Sequence, residues 1–362
     1  MNASCYKPME AIGKSIDGSF IEQECIESQK PIILEKLTEN MNPPLNPDFS
    51  TPINLPDFSG LDLNFEIIDA HHHLFDLDEV YYPWLTDEPE KHFLLGNYDA
   101  LKRNYSCEDY RKDTEKLKIV KTVHVEAESD HQDPLRETEW LNQVMEREGM
   151  PNAIVAHSWL HLPDSEKTLE RQAGFHSVKG IRSKPVTSPT SETRDSVRQL
   201  PGSIHDPAWR KGLGLLRKFG FSWDLRVPFW HLDEISEVCR LYPDLPIVVE
   251  HTGLAWDRTE AGLEEWRKGM KKLASLPHLF LKISELGLAG SAWDYNLNRV
   301  VVREALELFG FERSMFGSNF PVAGLRIGYF QQVCAITHMI QDCSKNERDL
   351  LFHDTAKQFY RL

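Results

Sequence analysis

The densest chemistry in the chain is Asp69-Ala70-His71-His72-His73, which comes directly after the apolar pair Ile67-Ile68. Side chains alternate along a strand, so Asp69, His71 and His73 are expected on one face with Ile67, and His72 on the other. Two imidazoles separated by one residue can aim at a single ion. His71 and His73 are therefore candidates for metal ligation or carbonyl polarisation, and His72 is read as structural. Val248-Val249-Glu250-His251-Thr252-Gly253 places a further imidazole, His251, at the end of an apolar run. Met315-Phe316-Gly317-Ser318-Asn319-Phe320-Pro321 ends another. There Gly317 admits close backbone approach, and the amide of Asn319 cannot serve as a base but can orient water or donate to an oxyanion.

Lys179-Gly180-Ile181-Arg182 offers a permanently charged fork suited to a substrate carboxylate, or to an ordinary ion pair. Glu126, Asp224, Arg226, Lys282 and Glu285 stand at comparable places, and Lys282 joins Arg182 as a substrate-binding candidate. Tyr82-Pro83-Trp84-Leu85 supplies aromatic surface for packing or for a pocket wall, where Trp84 would meet the substrate.

Such scattered groups need a frame that gathers strand ends. Short apolar or β-branched runs occur at Phe65–Asp69, Val120–Ala127, Ala153–Trp159, Val178–Arg182, Phe221–Val227, Ile247–His251, Leu279–Ser284 and Ser314–Ser318. Helical stretches lie between them at Leu135–Glu148, Pro207–Phe219, Leu232–Tyr242, Thr259–Ala274 and Arg299–Phe309, with Gly149, Gly220 and Gly310 at C-cap positions. Eight strands with helical crossovers predict an α/β fold, a closed (β/α)8 TIM barrel, whose active site sits where the strands end. The barrel is expected over residues 61–362. Residues 1–60 lack sustained periodicity, contain Asn42-Pro43-Pro44-Leu45-Asn46-Pro47, and are read as an irregular N-terminal extension.

The formal charge of −15 disfavours nucleic-acid and anionic-membrane partners, which require a basic face. A small-molecule substrate is the expected partner, and a homo-oligomer stays open. No secretory h-region and no bilayer-length apolar run occur, and six cysteines without a Cys-x-x-Cys pair suit reduced thiols. A cytoplasmic location is the expectation. Gly-x-Ser-x-Gly, Walker, His-Glu-x-x-His and dinucleotide-binding motifs are all missing from the sequence.

In order, these pieces resemble the amidohydrolase superfamily. The closer likeness is to its amidohydrolase-2 group, which includes lactonases of the 2-pyrone-4,6-dicarboxylate and L-fuconolactone types. The likeness runs from about Glu66 to the C-terminus and also draws on Asp133-Pro-Leu-Arg-Glu137-Thr-Glu-Trp140-Leu. It implies that His71, His73 and His251 are catalytic and, where a metal is bound, its ligands. It also implies that Arg182 contacts substrate.

Asn319 stands where most relatives carry an aspartate that ligates metal and accepts a proton, and the Phe221–Val227 run lacks a histidine. The implied cofactor is one divalent metal, zinc or manganese, with metal-independent catalysis left open. The implied activity is hydrolysis of a small lactone or cyclic ester through His71, His73, His251 and Asn319. With Asn319 in place, the base falls to Asp69, Glu126 or Glu285, unless Asn319 only positions water. Metal-dependent decarboxylation of a small carboxylic acid and a non-catalytic ligand-binding barrel are the alternatives.

Overall fold

The computed structural model describes residues 53–87 and 93–362. Its frame is one eight-stranded parallel sheet in strict chain order. The strands are β1 (Glu66–His72), β2 (Lys118–Val125), β3 (Ala153–His157), β4 (Val178–Arg182), β5 (Ser222–Leu225), β6 (Ile247–Val249), β7 (Leu279–Ile283) and β8 (Ser314–Phe316). A bridge from His72 to Phe320 brings the chain just beyond β8 back to β1, with Asn319 N–H donating to His71 O and His73 N–H to Phe320 O, both at 2.7 Å. This is the (β/α)8 barrel that the sequence predicts.

Helices come after the strands in turn: α1 (Cys107–Asp113), α2 (Arg136–Glu148), α3 (Ser165–Ala173), α4 (Pro207–Leu215), α5 (Leu232–Arg240), α6 (Glu260–Ala274), α7 (Tyr295–Phe309), α8 (Tyr329–Met339) and a closing α9 (Thr355–Tyr360). Their starts are encoded locally: Asp206, Thr259 and Asp294 cap α4, α6 and α7 through their side chains, and Pro207 sits at the first turn of α4. Gly149 ends α2 at φ 74°, a left-handed conformation that costs glycine nothing.

Apolar residues line both faces of the sheet. Ile67, Ile181, Trp223, Ile247 and Leu281 face the helices, where Trp209 of α4 meets Trp223 edge-on at 5.5 Å. Each such buried side chain contributes roughly 1.5–3 kcal/mol relative to exposure. Ile68, Ala70, Val123, Val125, Val155, Val248 and Met315 fill the interior together with Phe359 and Tyr360 of α9. Phe359 packs on Phe280 early in β7, and Arg361 bonds Lys179 O early in β4, so α9 stops the end where the strands begin.

Several boundaries differ from expectation. β2 begins earlier, at Lys118, whose side chain pairs with Glu66 at 2.9 Å. β6 ends at Val249 and β8 at Phe316, before His251 and Ser318, because His251 and Asn319 turn to positive φ, 56° in each case. α7 begins at Tyr295, ahead of the expected Arg299. Of the expected extension, residues 53–60 form neither helix nor strand, with Ile53, Leu55 and Phe58 resting against the core. Its residues 1–52, including the Pro/Asn-rich stretch, Cys5 and Cys25, lie outside the described residues. Cys107, Cys239, Cys334 and Cys343 are free thiols. No helix among the described residues is long and apolar enough to cross a membrane.

Candidate active site

β1 carries a correction that decides the chemistry. Its register against β2 shifts between Asp69 and His72, so strict alternation fails there. Asp69 keeps the outward face of Ile67, and the shift turns His71 and His73 to the opposite face. Its carboxylate accepts from Tyr110 of α1 at 2.9 Å, Tyr329 of α8 at 3.0 Å and Ser318 Oγ at 2.7 Å. Those bonds fasten two helices and the β8 end to β1, and Asp69 is no candidate base. His72 lies against Tyr110 and His124, as a structural residue does.

His71 and His73 turn inward. Ring centroids stand 5.1 Å apart between His71 and His73 and 4.6 Å apart between His71 and His251, so three histidines from the two regions converge. Gly317 makes this possible, since a Cβ there would lie 2.7 Å from His71 Cβ. Each ring is buried, and burial first of all pushes its pKa well below the usual histidine value. Lys282 adds to this at His71, Arg182 at His73 and Arg226 at His251. The rings are neutral near pH 7.

Each ring is oriented by a partner behind it. His73 Nδ1 donates to Val125 O at 2.7 Å, so its Nε2 carries the lone pair. That atom lies 3.1 Å from Asn319 Oδ1. Asn319 is held by its Nδ2, which donates to Glu285 Oε2 at 2.5 Å. His251 lines the cavity, with its Nδ1 2.9 Å from Ser284 Oγ and its Nε2 3.8 Å from Glu250 Oε2.

Glu250, which nothing in the sequence pattern singles out beside His251, sits beneath these rings. It lies 3.3 Å from His71 Nδ1, 3.2 Å from Arg182 and 3.9 Å from Lys282. Arg182 lines the cavity, but its fork is committed: Nε to Glu126 at 2.5 Å, Nη1 to Glu250, and Nη2 to the carbonyl of Glu126. Burial alone would raise Glu126, yet Arg182, Lys184 and His157 override it and hold the carboxylate well below its usual range. Lys282 is not at the cavity. It is fully buried inside the barrel and bonded to Asp224 at 2.6 Å, which also accepts from Tyr360 at 2.7 Å. The expected substrate contact through Lys282 gives way to an internal ion pair. Glu285 is buried, which raises its pKa.

A cavity of about 820 Å³ opens over this cluster, lined among others by His73, His251, Asn319, Arg182, Arg226 and Trp84. Trp84 donates to Ala127 O at 2.9 Å and stacks on Phe93 at 5.6 Å, so it is at once packed and part of the wall.

Among the described residues, two groups of histidine and carboxylate side chains offer metal-ligating atoms within 4.8 Å of one another: His71, Glu250 and His251, and Glu126, His131 and His157. In both, the carboxylate is already neutralised by Arg182, and Lys282 stands 3.4 Å from His71 Nδ1, which opposes an added dication. A third arrangement fits a cation better. His73 Nε2 and Asn319 Oδ1 are both electron-pair donors at a spacing natural to two ligands of one ion, and His71 Nε2 is buried without a partner. His157 and Ser284 are absent from the sequence-based candidates, although His157 ends β3 and Ser284 comes directly after β7, where the strand-end rule points.

The amidohydrolase family model matches residues 68–362. An uncharacterized protein, y4mH, of Sinorhizobium fredii is 36% identical over 82% of this chain and 98% of its own. The L-fucono-1,5-lactonase of Burkholderia multivorans is 24% identical over 82% of this chain and 96% of its own. A crystal structure of an amidohydrolase from Burkholderia multivorans, solved with bound zinc, superposes with a TM-score of 0.66 at 24% identity, covering 82% of this chain and 100% of that one.

Proposed function

The chain belongs to the amidohydrolase family, and from that premise we propose that it hydrolyses a small lactone or related cyclic ester. The observation that carries the proposal is the convergence of three neutral imidazoles, of which His73 and His251 line one cavity with Asn319 while His71 lies buried against them. Similarity to the fuconolactonase supports the choice of ester.

His251 is the proton acceptor in this reading. Its Nδ1 is engaged by Ser284, its ring lines the cavity with Nε2 3.8 Å from Glu250 Oε2, and Asp69, Glu126 and Glu285 are engaged by Tyr110, Arg182 and Asn319. Water attacks the carbonyl carbon as His251 Nε2 takes its proton. The tetrahedral oxyanion then collapses, the ring C–O bond breaks, and the departing alkoxide recovers the proton from His251. His73 and Asn319, locked by Val125 and Glu285, present the lone pairs of Nε2 and Oδ1 in fixed positions, suited to accept from the attacking water or to hold a cation. A divalent cation, where bound, would be held by His71, His73 and Asn319 Oδ1 and would polarise the carbonyl and lower the pKa of water. Glu285 and Val125 are then the partners that orient its ligands.

The test is a panel of sugar and pyrone lactones assayed beside metal analysis of wild type and His73→Ala. The proposal expects turnover above background, and metal content lost in the variant if a cation is resident. No turnover across the panel, or carbon dioxide release from a carboxylate panel instead, overturns it.

A further inference from the structure

Arg226 comes directly after β5 and is half-buried in the cavity wall, near His251, Trp256 and Pro228. Its surroundings set it apart from the other cations of the site. Arg182 is shared by Glu126 and Glu250, Lys184 is bridged to Glu128, and Lys282 is bonded to Asp224. Among the described residues, no carboxylate lies within ion-pair distance of Arg226 and no hydrogen bond satisfies its guanidinium. The nearby acids are spent: Glu250 on His71 and Arg182, Glu126 on Arg182, and Glu285 on Asn319 and the Gly287 N–H.

A charge removed from water with nothing opposite it is costly, and a binding partner can recover that cost. Placed directly after a barrel strand, the group is also rigidly based. A single guanidinium presents two parallel N–H groups, which match the two oxygens of one carboxylate; a phosphate dianion would be left half-neutralised.

We propose that Arg226 anchors a carboxylate of the substrate, so that the preferred lactone bears a carboxylate outside the ring being opened. This deepens the lactonase reading and rests on it for the reacting group. Burial and the neighbouring charge of Arg182 press the Arg226 guanidinium down to about 10, in keeping with a cation that lacks its counter-charge.

The experiment compares neutral aldonolactones with the corresponding aldarolactones, which differ by one terminal carboxylate, in wild type, Arg226→Lys and Arg226→Met. Wild type is expected to prefer the carboxylated member at least tenfold in kcat/KM. Arg226→Met should erase that preference mainly through KM, and Arg226→Lys should restore part of it.

Calorimetric binding of glutarate, which cannot react, is measured on the same three proteins. Loss of glutarate binding in Arg226→Met supports the anchor even if no lactone is turned over, in which case it is the lactonase reading that fails. Equal glutarate binding in wild type and Arg226→Met overturns the anchor, as does a carboxylate preference that survives the substitution. Thermal melting of Arg226→Met controls for folding and should be unchanged or higher, because the variant removes an unopposed charge.

Discussion

Where the barrel strands begin, Phe359 and Tyr360 of α9 fill the interior, and the Tyr360 hydroxyl reaches up to the buried Lys282–Asp224 pair, which lies between that end and the histidines. Where the strands end, Glu128, His251, Thr252, Leu254, Glu285 and Asn319 all hold positive φ without being glycine. Such conformations cost of order 1–3 kcal/mol each and persist only when the surroundings over-determine them. The strand-end face also gathers neutral histidines, an orphaned His71 Nε2 and an unopposed Arg226. One end is closed by packing; the other concentrates most of the strained backbone and the unpaired groups. Stability at the first is what allows the second to hold reactive groups in place.

The largest effect that could break this contrast lies in the ion pair that α9 supports from the closed end. Lys282→Met leaves Asp224 buried without its cation and should cost about 3–5 kcal/mol, read as a fall in the denaturation midpoint. A loss below about 1 kcal/mol would show that the closed end does not carry the fold, since an uncompensated buried charge should cost several times that.

At the reactive end the expected signature is reversed. His251→Asn keeps a residue that tolerates left-handed backbone while removing the imidazole. It should lower kcat on the best lactone by about 10²–10⁴-fold with little change in melting temperature. Matching losses of stability and activity would erase the distinction between the ends.

Asn319→Asp sharpens it further by placing a second carboxyl against Glu285. The two must share a proton, and the variant should lose about 1–3 kcal/mol, more at pH 8 than at pH 5. Higher turnover in this variant would move the proton acceptor from His251 to position 319.

Measured per pH unit, the smallest effect is one of slope. Burial pushes Glu137, bonded to the Ala127 N–H and the Tyr82 hydroxyl, up to about 8. The folded protein therefore keeps a proton that the unfolded chain loses near its ordinary value. That contribution is fully present below the unfolded pKa and disappears as pH rises through about 8. Relative to Glu137→Gln, wild type should lose stability across that window, by at most about 1.4 kcal/mol per pH unit, as read from denaturation midpoints at a series of pH values. Parallel profiles for the two proteins would remove Glu137 from the set of strained groups.

The eight strands were legible because each contains an apolar run, and His71, His73, His251, Arg182 and Asn319 were picked out by asking which residues stand at or just beyond the end of such a run, whereas Trp84 was picked out from the aromatic loop stretch Tyr82-Pro83-Trp84-Leu85. Alternation could not reveal the register shift that turns His71 and His73 away from the face of Asp69, since a two-residue period is assumed unbroken until a partner strand shows otherwise. The ends of β6 and β8 were overrun for a related reason: left-handed backbone at His251 and Asn319 leaves no trace in residue type when the residue is not glycine. Lys282 looked available because its pairing with Asp224 spans the barrel interior, and no local pattern reports a contact of that kind.

The bonds that join the first and last strands run through His71, His73, Asn319 and Phe320, so the seam of the barrel and the reactive cluster are one object. A chain divided between β4 and β5 would therefore carry His71 and His73 on one fragment and His251 and Asn319 on the other. Neither fragment alone would be competent, and catalysis by the recombined pieces would report reassembly directly, without a fused label.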